Sequence, residues 1–141
     1  MLYTQLLIIL SLLTGYAPKP TITSVELELV TRGSLKSIRM DARKTQIIVN
    51  GDTTNVTTPA KYWKQLLKNL KTVRLDSLPM LKTNSERSQV DAAYITHVHV
   101  RTTAQLYESP QFDQGTPPRE LAPLIKTLID GISVKKQSSF R

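Results

Sequence analysis

The feature that most restricts the fold is a change in the spacing of apolar residues between Tyr94 and Ile132. From Tyr94 to Arg101 apolar and polar residues alternate, which is the period of a half-buried strand. Further along, apolar residues recur at i, i+3, i+4, i+7, i+8 and i+11, which is the period of a helix with one buried face. These residues are Leu121, Leu124, Ile125, Leu128, Ile129 and Ile132. The two periods together predict a helix lying flat on a sheet.

The first half of the chain carries the pattern of paired strands. Apolar and polar residues alternate over 24–29 and, more weakly, over 35–41. A β-branched run at 45–49 ends at Asn50-Gly51, and both of these residues tolerate the positive φ of a type I′ turn. We therefore expect residues 53–57 to fold back on the preceding strand as a hairpin.

A second helix is predicted directly after these strands. Thr58-Pro59 is typical of a helix start, because the threonine hydroxyl can accept a free backbone N–H and proline suits the first helical position. One apolar stripe follows at helical spacing, formed by Trp63, Leu66, Leu67, Leu70 and Val73. A short strand near Leu106-Tyr107 completes the set. We expect an α+β fold: an antiparallel sheet of about six strands with two helices packed on one face, in the order β-β-β-β-α-β-β-α.

Length and composition restrict the class of protein. A chain of 141 residues suits one domain, and its 40% hydrophobic and 21% charged residues are typical of a globular protein. There is no cysteine, which excludes a disulfide framework, thiol catalysis and Cys-ligated zinc. The net charge of +8 favours an acidic partner without identifying it. Aromatic residues make up only 6%, too few for the stacking surface of a single-strand nucleic-acid binder.

The N-terminus has the pattern of an export signal. The apolar run 6–13 is uncharged and too short to span a bilayer, and Gly15-Tyr16-Ala17 is a small-x-small triplet. We expect a signal peptide at 1–17, a linker at 18–21, one α+β domain at 22–132 and a flexible basic tail at 133–141. The protein would then be periplasmic or extracellular, with no transmembrane span after processing. The alternative is that the apolar run is a buried first strand or helix of the domain.

Four lysines lie off the apolar stripe of the first predicted helix. Lys61, Lys64, Lys68 and Lys71 could form a basic surface for a polyanion, with Arg101 as a further cation on the later strand. The plainer interpretation is that these lysines are the solvated side of the helix. The sequence leaves both open.

The two histidines share one face of the predicted strand. Tyr94, Thr96, Val98 and Val100 form the more apolar face and are expected to point to the core, so His97 and His99 project from the other face. Two imidazoles at i and i+2 can hold Zn²⁺ or Cu²⁺, but a working site needs a third ligand, and no motif spacing supplies one. The alternative is a pair of half-exposed histidines contacting carboxylates across the sheet.

One segment resembles a known family. Ser109-Pro110-x-Phe112-Asp113-x-Gly115-x-Pro117-Pro118-x-x-Leu121-x-Pro123-Leu124-Ile125, preceded by Asp91-Ala92-Ala93, is similar to a small uncharacterised family of exported bacterial proteins. The resemblance covers residues 85–130 and implies export and a strand-rich fold, but no activity. Some members carry a lipid-attachment cysteine after the signal, and this chain has none.

No nucleotide-binding, nucleophile-elbow or metal-hydrolase motif occurs, and no catalytic residues are assigned. The favoured hypothesis is an exported, non-catalytic domain that binds an acidic protein or an envelope polysaccharide. The alternative is a metal-binding protein or metal-dependent hydrolase that uses His97 and His99. A third hypothesis is a structural or inhibitory module that docks an open sheet edge or hairpin onto a partner. The sequence says nothing about oligomeric state.

Overall fold

A computed structural model describes residues 15–83 and 93–141. Within them the strands are β1 (Ile22–Thr31), β2 (Ser34–Met40), β3 (Lys44–Val49), β4 (Asp52–Thr57), β5 (Ile95–Thr102), β6 (Leu106–Glu108) and β7 (Phe112–Asp113). The helices are α1 (Ala60–Lys71), α2 (Ala122–Asp130) and α3 (Val134–Gln137), with a 3-10 helix at Leu75–Met80. This confirms the predicted α+β class. The predicted signal peptide at 1–17 lies largely outside the described residues, and residues 84–92 before β5 lie wholly outside them.

The sheet is antiparallel and runs in the order β4-β3-β2-β1-β5-β6, and β7 pairs with the start of β5, at Ile95 and Thr96. The first four strands are joined by short turns, so neighbours along the chain are neighbours in the sheet. The predicted turn at Asn50-Gly51 is present, with φ of 51° and 94°. Strand β5 pairs with β1 rather than with β4, so the first strands of the two halves of the chain are neighbours inside the sheet.

One face of the sheet, here called the covered face, packs against the helices. It carries Val25, Leu27 and Leu29 of β1 together with Val98 and Val100 of β5, all 0–1% exposed. The buried stripes of α1 and α2 complete this core with Leu66, Leu70, Leu124 and Leu128. We call the opposite side the outer face. The predicted assignment of alternate β5 residues to these two faces is correct.

The two helices are tied together by Asn69. Its side-chain Nδ2 donates to Pro123 O at 3.1 Å and to Thr127 Oγ1 at 2.9 Å, so one amide bridges α1 and α2. Thr127 is 8% exposed, and its own hydroxyl donates to Pro123 O. The bridge fixes the relative position of the two helices over the covered face.

The predicted helix starts differ from the observed ones in their hydrogen bonding. Thr58 does not cap α1: its Oγ1 shares a buried hydrogen bond of 2.8 Å with Thr45 Oγ1 on β3. Thr116, which stands before Pro117 as Thr58 stands before Pro59, does not start α2 either: its hydroxyl donates to Asp113 O at a turn, and the helix begins at Ala122. In both cases the hydroxyl is hydrogen-bonded to a group other than a helical N–H.

The C-terminus differs from the flexible tail expected at 133–141. Residues Val134–Gln137 form α3, and Phe140 is only 3% exposed within the core. Lys36 Nζ donates to Ser139 O at 3.0 Å, and Lys136 Nζ donates to Thr54 Oγ1 at 3.1 Å. Burial of the Phe140 side chain removes a large apolar area from water. The resulting stabilisation holds the segment against the core even though most of its residues are polar.

Candidate functional site

The four lysines of α1 lie along one narrow side of the helix. Each residue rotates about 100° from the one before, so the four positions fall within an arc of about 80° and span about 15 Å along the axis. All four are exposed, and they stand away from the buried stripe of α1. We call this set the lysine ridge: Lys61, Lys64, Lys68 and Lys71.

The ridge has no carboxylate of its own. Helix α1 contains no acidic residue, and no ion pair within residues 15–83 and 93–141 involves a ridge lysine. Lys61 Nζ lies 4.8 Å from the centroid of the Tyr62 ring, a weak exposed cation–π contact. The ridge therefore carries a local charge of +4 that the described part of the molecule does not neutralise.

This arrangement does not stabilise the helix. Lysines at i, i+3 and i, i+4 repel one another, at a cost of about 0.2–0.5 kcal/mol for each of the three neighbouring pairs. Lys68 and Lys71 lie in the last turn, where the helix dipole favours cations, but Lys61 and Lys64 lie nearer the N-terminus, where it does not. The stability of α1 alone therefore does not account for the presence of all four lysines on one side of the helix.

Arg101 is not part of this surface. It is exposed on β5, next to buried Val100 and Thr102, and alternation places it on the outer face. The sheet separates it from α1. The structure thus brings the four lysines together and leaves Arg101 with a different group of side chains.

That second group contains the two histidines. His99 lies in register between Glu26 of β1 and Glu108 of β6, and His97 lies opposite Glu28 of β1. His99 Nδ1 is 3.2 Å from Glu108 Oε1, and the imidazoles stack with centroids 5.9 Å apart. Contact with carboxylates across the sheet, one of the two interpretations of the sequence, is therefore present for His99.

The outer face extends this pattern of charges. Arg39 Nε lies 3.2 Å from Glu26 Oε2, so acidic and basic side chains alternate from β2 to β6. Surface pairs of this kind each contribute about 0–1 kcal/mol, since water screens them. The alternation of charge makes this face a poor candidate for binding a polyanion.

The described residues contain no group of three or more His, Cys, Asp or Glu side chains placed to hold a metal ion. Glu108 already occupies one ring nitrogen of His99, whereas Nε2 of His99 has no hydrogen-bond partner within the same residues. A zinc site at His97 and His99 thus has two candidate ligands and stays a prediction.

Sequence reasoning missed a cavity on the helix side of the sheet. It measures about 450 Å³ and lies between α2, β7 and the C-terminal segment. Its walls come from five separate parts of the chain, so no local motif marks it. The only signal in the sequence is the aromatic pair Phe112 and Phe140, both of which border it.

The fold and these surfaces define a small α+β domain with a two-sided antiparallel sheet: helices on one face, an exposed network of ionic side chains on the other. Within the described parts of the chain, no helix has the length and apolarity that a membrane crossing requires. Comparisons with protein families, with curated proteins and with solved structures find no match. The resemblance over residues 85–130 therefore stays a prediction.

Proposed function

We propose that this protein is an exported, non-catalytic domain that binds a linear acidic polymer of the cell envelope through the lysine ridge. The observation that carries the proposal is the ridge itself: four exposed ammonium groups on one side of α1, with no carboxylate in the helix. Periplasmic or extracellular location follows the predicted signal at 1–17.

The spacing of the ridge favours an extended polymer. Successive lysines are displaced by about 4.5 to 6 Å along the helix axis, given a rise of 1.5 Å per residue. An anionic polymer with one carboxylate or phosphate on each repeat can place successive charges at similar intervals. Binding such a polymer would also remove the repulsion among the lysines, so the charge pattern that weakens α1 alone would be stabilised in the complex.

An acidic protein is the other class of partner with matching charge. A folded acidic protein also needs a complementary contact surface, and α1 buries its apolar stripe in the core of its own domain. The ridge thus offers charge without an adjoining apolar patch, which favours the polymer.

The experiment compares two variants of equal net charge. The ridge variant carries Lys61→Gln, Lys64→Gln, Lys68→Gln and Lys71→Gln. The control removes four exposed cations elsewhere, with Arg43→Gln, Lys44→Gln, Arg119→Gln and Lys135→Gln. Both proteins go from +8 to +4. Binding to polygalacturonate and to polyglutamate is measured by calorimetry at low and high salt.

The ridge variant should lose about 30-fold in affinity for polygalacturonate, since four contacts of about 0.5 kcal/mol each amount to about 2 kcal/mol. The control should lose much less, and salt should weaken the wild type most. Equal losses in both variants would show that net charge and not the ridge is responsible. Preference for polyglutamate would point instead to an acidic polypeptide.

A second candidate function is metal binding at His97 and His99, in a metal carrier or a metal-dependent hydrolase. Its support is the pair of imidazoles on the exposed outer face, with Glu26, Glu28 and Glu108 on the flanking strands. Elemental analysis after incubation with Zn²⁺ tests it. One equivalent of zinc, lost on His97→Gln and His99→Gln, would support the site; substoichiometric zinc in the wild type would remove it.

A further inference from the structure

The cavity under α2 is built as an apolar chamber with a charged mouth. Leu27 and Leu29 of β1 and Phe112 of β7 form its inner wall, and Ile125 and Ile129 of α2 lie opposite. Phe140 of the C-terminal segment closes another side. Protein interiors are close-packed, and the volume of about 450 Å³ falls in the range of sites that hold small organic molecules.

One buried polar side chain interrupts the apolar wall. Thr96 borders the cavity and is 3% exposed. Its Oγ1 has no hydrogen-bond partner among the described residues, whereas the buried hydroxyls of Thr45 and Thr58, elsewhere in the domain, are paired with each other. A buried hydroxyl without a partner costs folding free energy, and an oxygen-bearing ligand in the cavity would supply the missing partner.

The mouth of the cavity is lined by charged side chains. Lys126 and Asp130 of α2 and Arg141 at the C-terminus all border it. Lys126 Nζ is paired with Asp130 Oδ2, and the guanidinium of Arg141 lies 3.7 Å from Asp130 Oδ1. The Lys126 ammonium and the Arg141 guanidinium thus lie together at the mouth, on either side of the Asp130 carboxylate. Gln114 Nε2 donates to Arg141 O at 3.2 Å and holds the terminal residue at this position.

We propose that the cavity binds a medium-chain carboxylic acid that carries one hydroxyl or keto oxygen on its chain. The hydrocarbon chain lies against the leucines and phenylalanines, and the chain oxygen pairs with Thr96 Oγ1. The carboxylate stays at the mouth between Lys126 and Arg141, where it remains partly hydrated and no charge is buried. This site shares no residue with the lysine ridge, so the two proposals stand or fall separately.

The test uses the full chain and three ligands at concentrations below micelle formation: dodecanoate, hydroxydodecanoates with the hydroxyl at different chain positions, and dodecanol. Affinities are measured by calorimetry. Wild-type protein should bind at least one hydroxydodecanoate at one equivalent, more tightly than dodecanoate.

Three variants examine the parts of the site. Ala122→Trp places a large side chain at an exposed lining position and should lower all affinities at least about tenfold by filling the chamber. Thr96→Val should lower affinity for the hydroxy acid about fivefold and leave dodecanoate unchanged, because one hydrogen bond is lost. Lys126→Gln with Arg141→Gln should weaken both acids and spare dodecanol.

The ridge variant with four Lys→Gln changes is the matched control and should bind the acids like the wild type. Circular dichroism establishes that each variant is folded. The proposal is overturned if none of the three ligands binds, or if Ala122→Trp binds as well as the wild type. It is also overturned if Thr96→Val weakens dodecanoate as much as the hydroxy acid, since Thr96 would then act only through packing.

Discussion

Gly131 and Met40 are in such close contact that a β-carbon on Gly131 would lie 2.6 Å from Met40 Cε. Met40 ends β2 and is fully buried, and Gly131 follows the last residue of α2. The backbone at Gly131 has φ −73°, which any residue adopts, so the glycine is not needed for conformation. A side chain at Gly131 would require the end of the flexible Met40 side chain to shift, because α2 ends directly above the sheet at this point.

The first prediction concerns this contact. Gly131→Ala should destabilise the fold by about 1 kcal/mol, because the buried end of the Met40 side chain must shift to make room for the added methyl group. In the shortened background Met40→Val the same change should cost clearly less, so the double-mutant cycle shows favourable coupling. Chemical denaturation measures all four proteins. Strictly additive costs would mean that the two side chains do not compete for space.

The second prediction concerns the C-terminal segment. Phe140→Ala should destabilise the domain by about 3 kcal/mol, since a buried aromatic side chain is removed from the core. Val134→Ala, in the same segment but 81% exposed, is the control and should change the free energy of unfolding by less than about 0.5 kcal/mol. Thermal and denaturant unfolding give both values. Indistinguishable variants would show that residues 133–141 behave as the flexible tail expected from the sequence.

The third prediction concerns Tyr94, whose phenol oxygen shares a hydrogen bond of 2.8 Å with Ser34 Oγ. This bond, followed by the interaction with Lys36, lowers the pKa of Tyr94 below its usual value. The ammonium of Lys36 lies 4.3 Å from the centroid of the Tyr94 ring. Because partners favour the phenolate in the folded protein, Ser34→Ala should raise the pKa of Tyr94 toward its usual value.

The sign of the stability effect follows from this direction. The folded pKa of Tyr94 is below the unfolded one, so its contribution is fully present above the unfolded pKa of about 10 and is lost as pH falls through the folded pKa. Relative to Tyr94→Phe, the wild type should therefore gain stability as pH rises across that window. Difference absorbance titration against Tyr94→Phe isolates this tyrosine from the others. A titration of Tyr94 at or above pH 10 would contradict the prediction.

Local patterns were sufficient for β1 to β6, for α1 and α2, and for the faces they present, but not for β7, the 3-10 helix or α3. Alternation placed Val98 and Val100 in the core and both histidines on the outer face, because the side-chain period of a strand does not depend on its neighbours. Asn50-Gly51 specified a hairpin turn through its backbone preference alone. Helical spacing likewise identified the buried stripes of α1 and α2.

Hydroxyl and aromatic partners could not be assigned in this way. Thr58 has the sequence context of a helix cap, yet it pairs with Thr45, which only the folded sheet brings near. Phe140 lies in a polar segment, and its burial depends on space in the core between α2 and the sheet. In both cases the group that the side chain contacts lies outside its own segment, so the local propensity of that segment gave the wrong prediction.

The sequence by itself determined β1 to β6, the two longer helices, the face on which their residues lie and the positive charge, because backbone preference and residue spacing act over a few residues. Only the tertiary structure decided which strands pair and which faces of the helices and the sheet pack together. Placing β5 beside β1 set His99 between two glutamates, separated Arg101 from the lysine ridge and enclosed the cavity beside Thr96. The physical reason is that strand order and helix position are chosen by burying the whole apolar surface at once, which no single segment encodes.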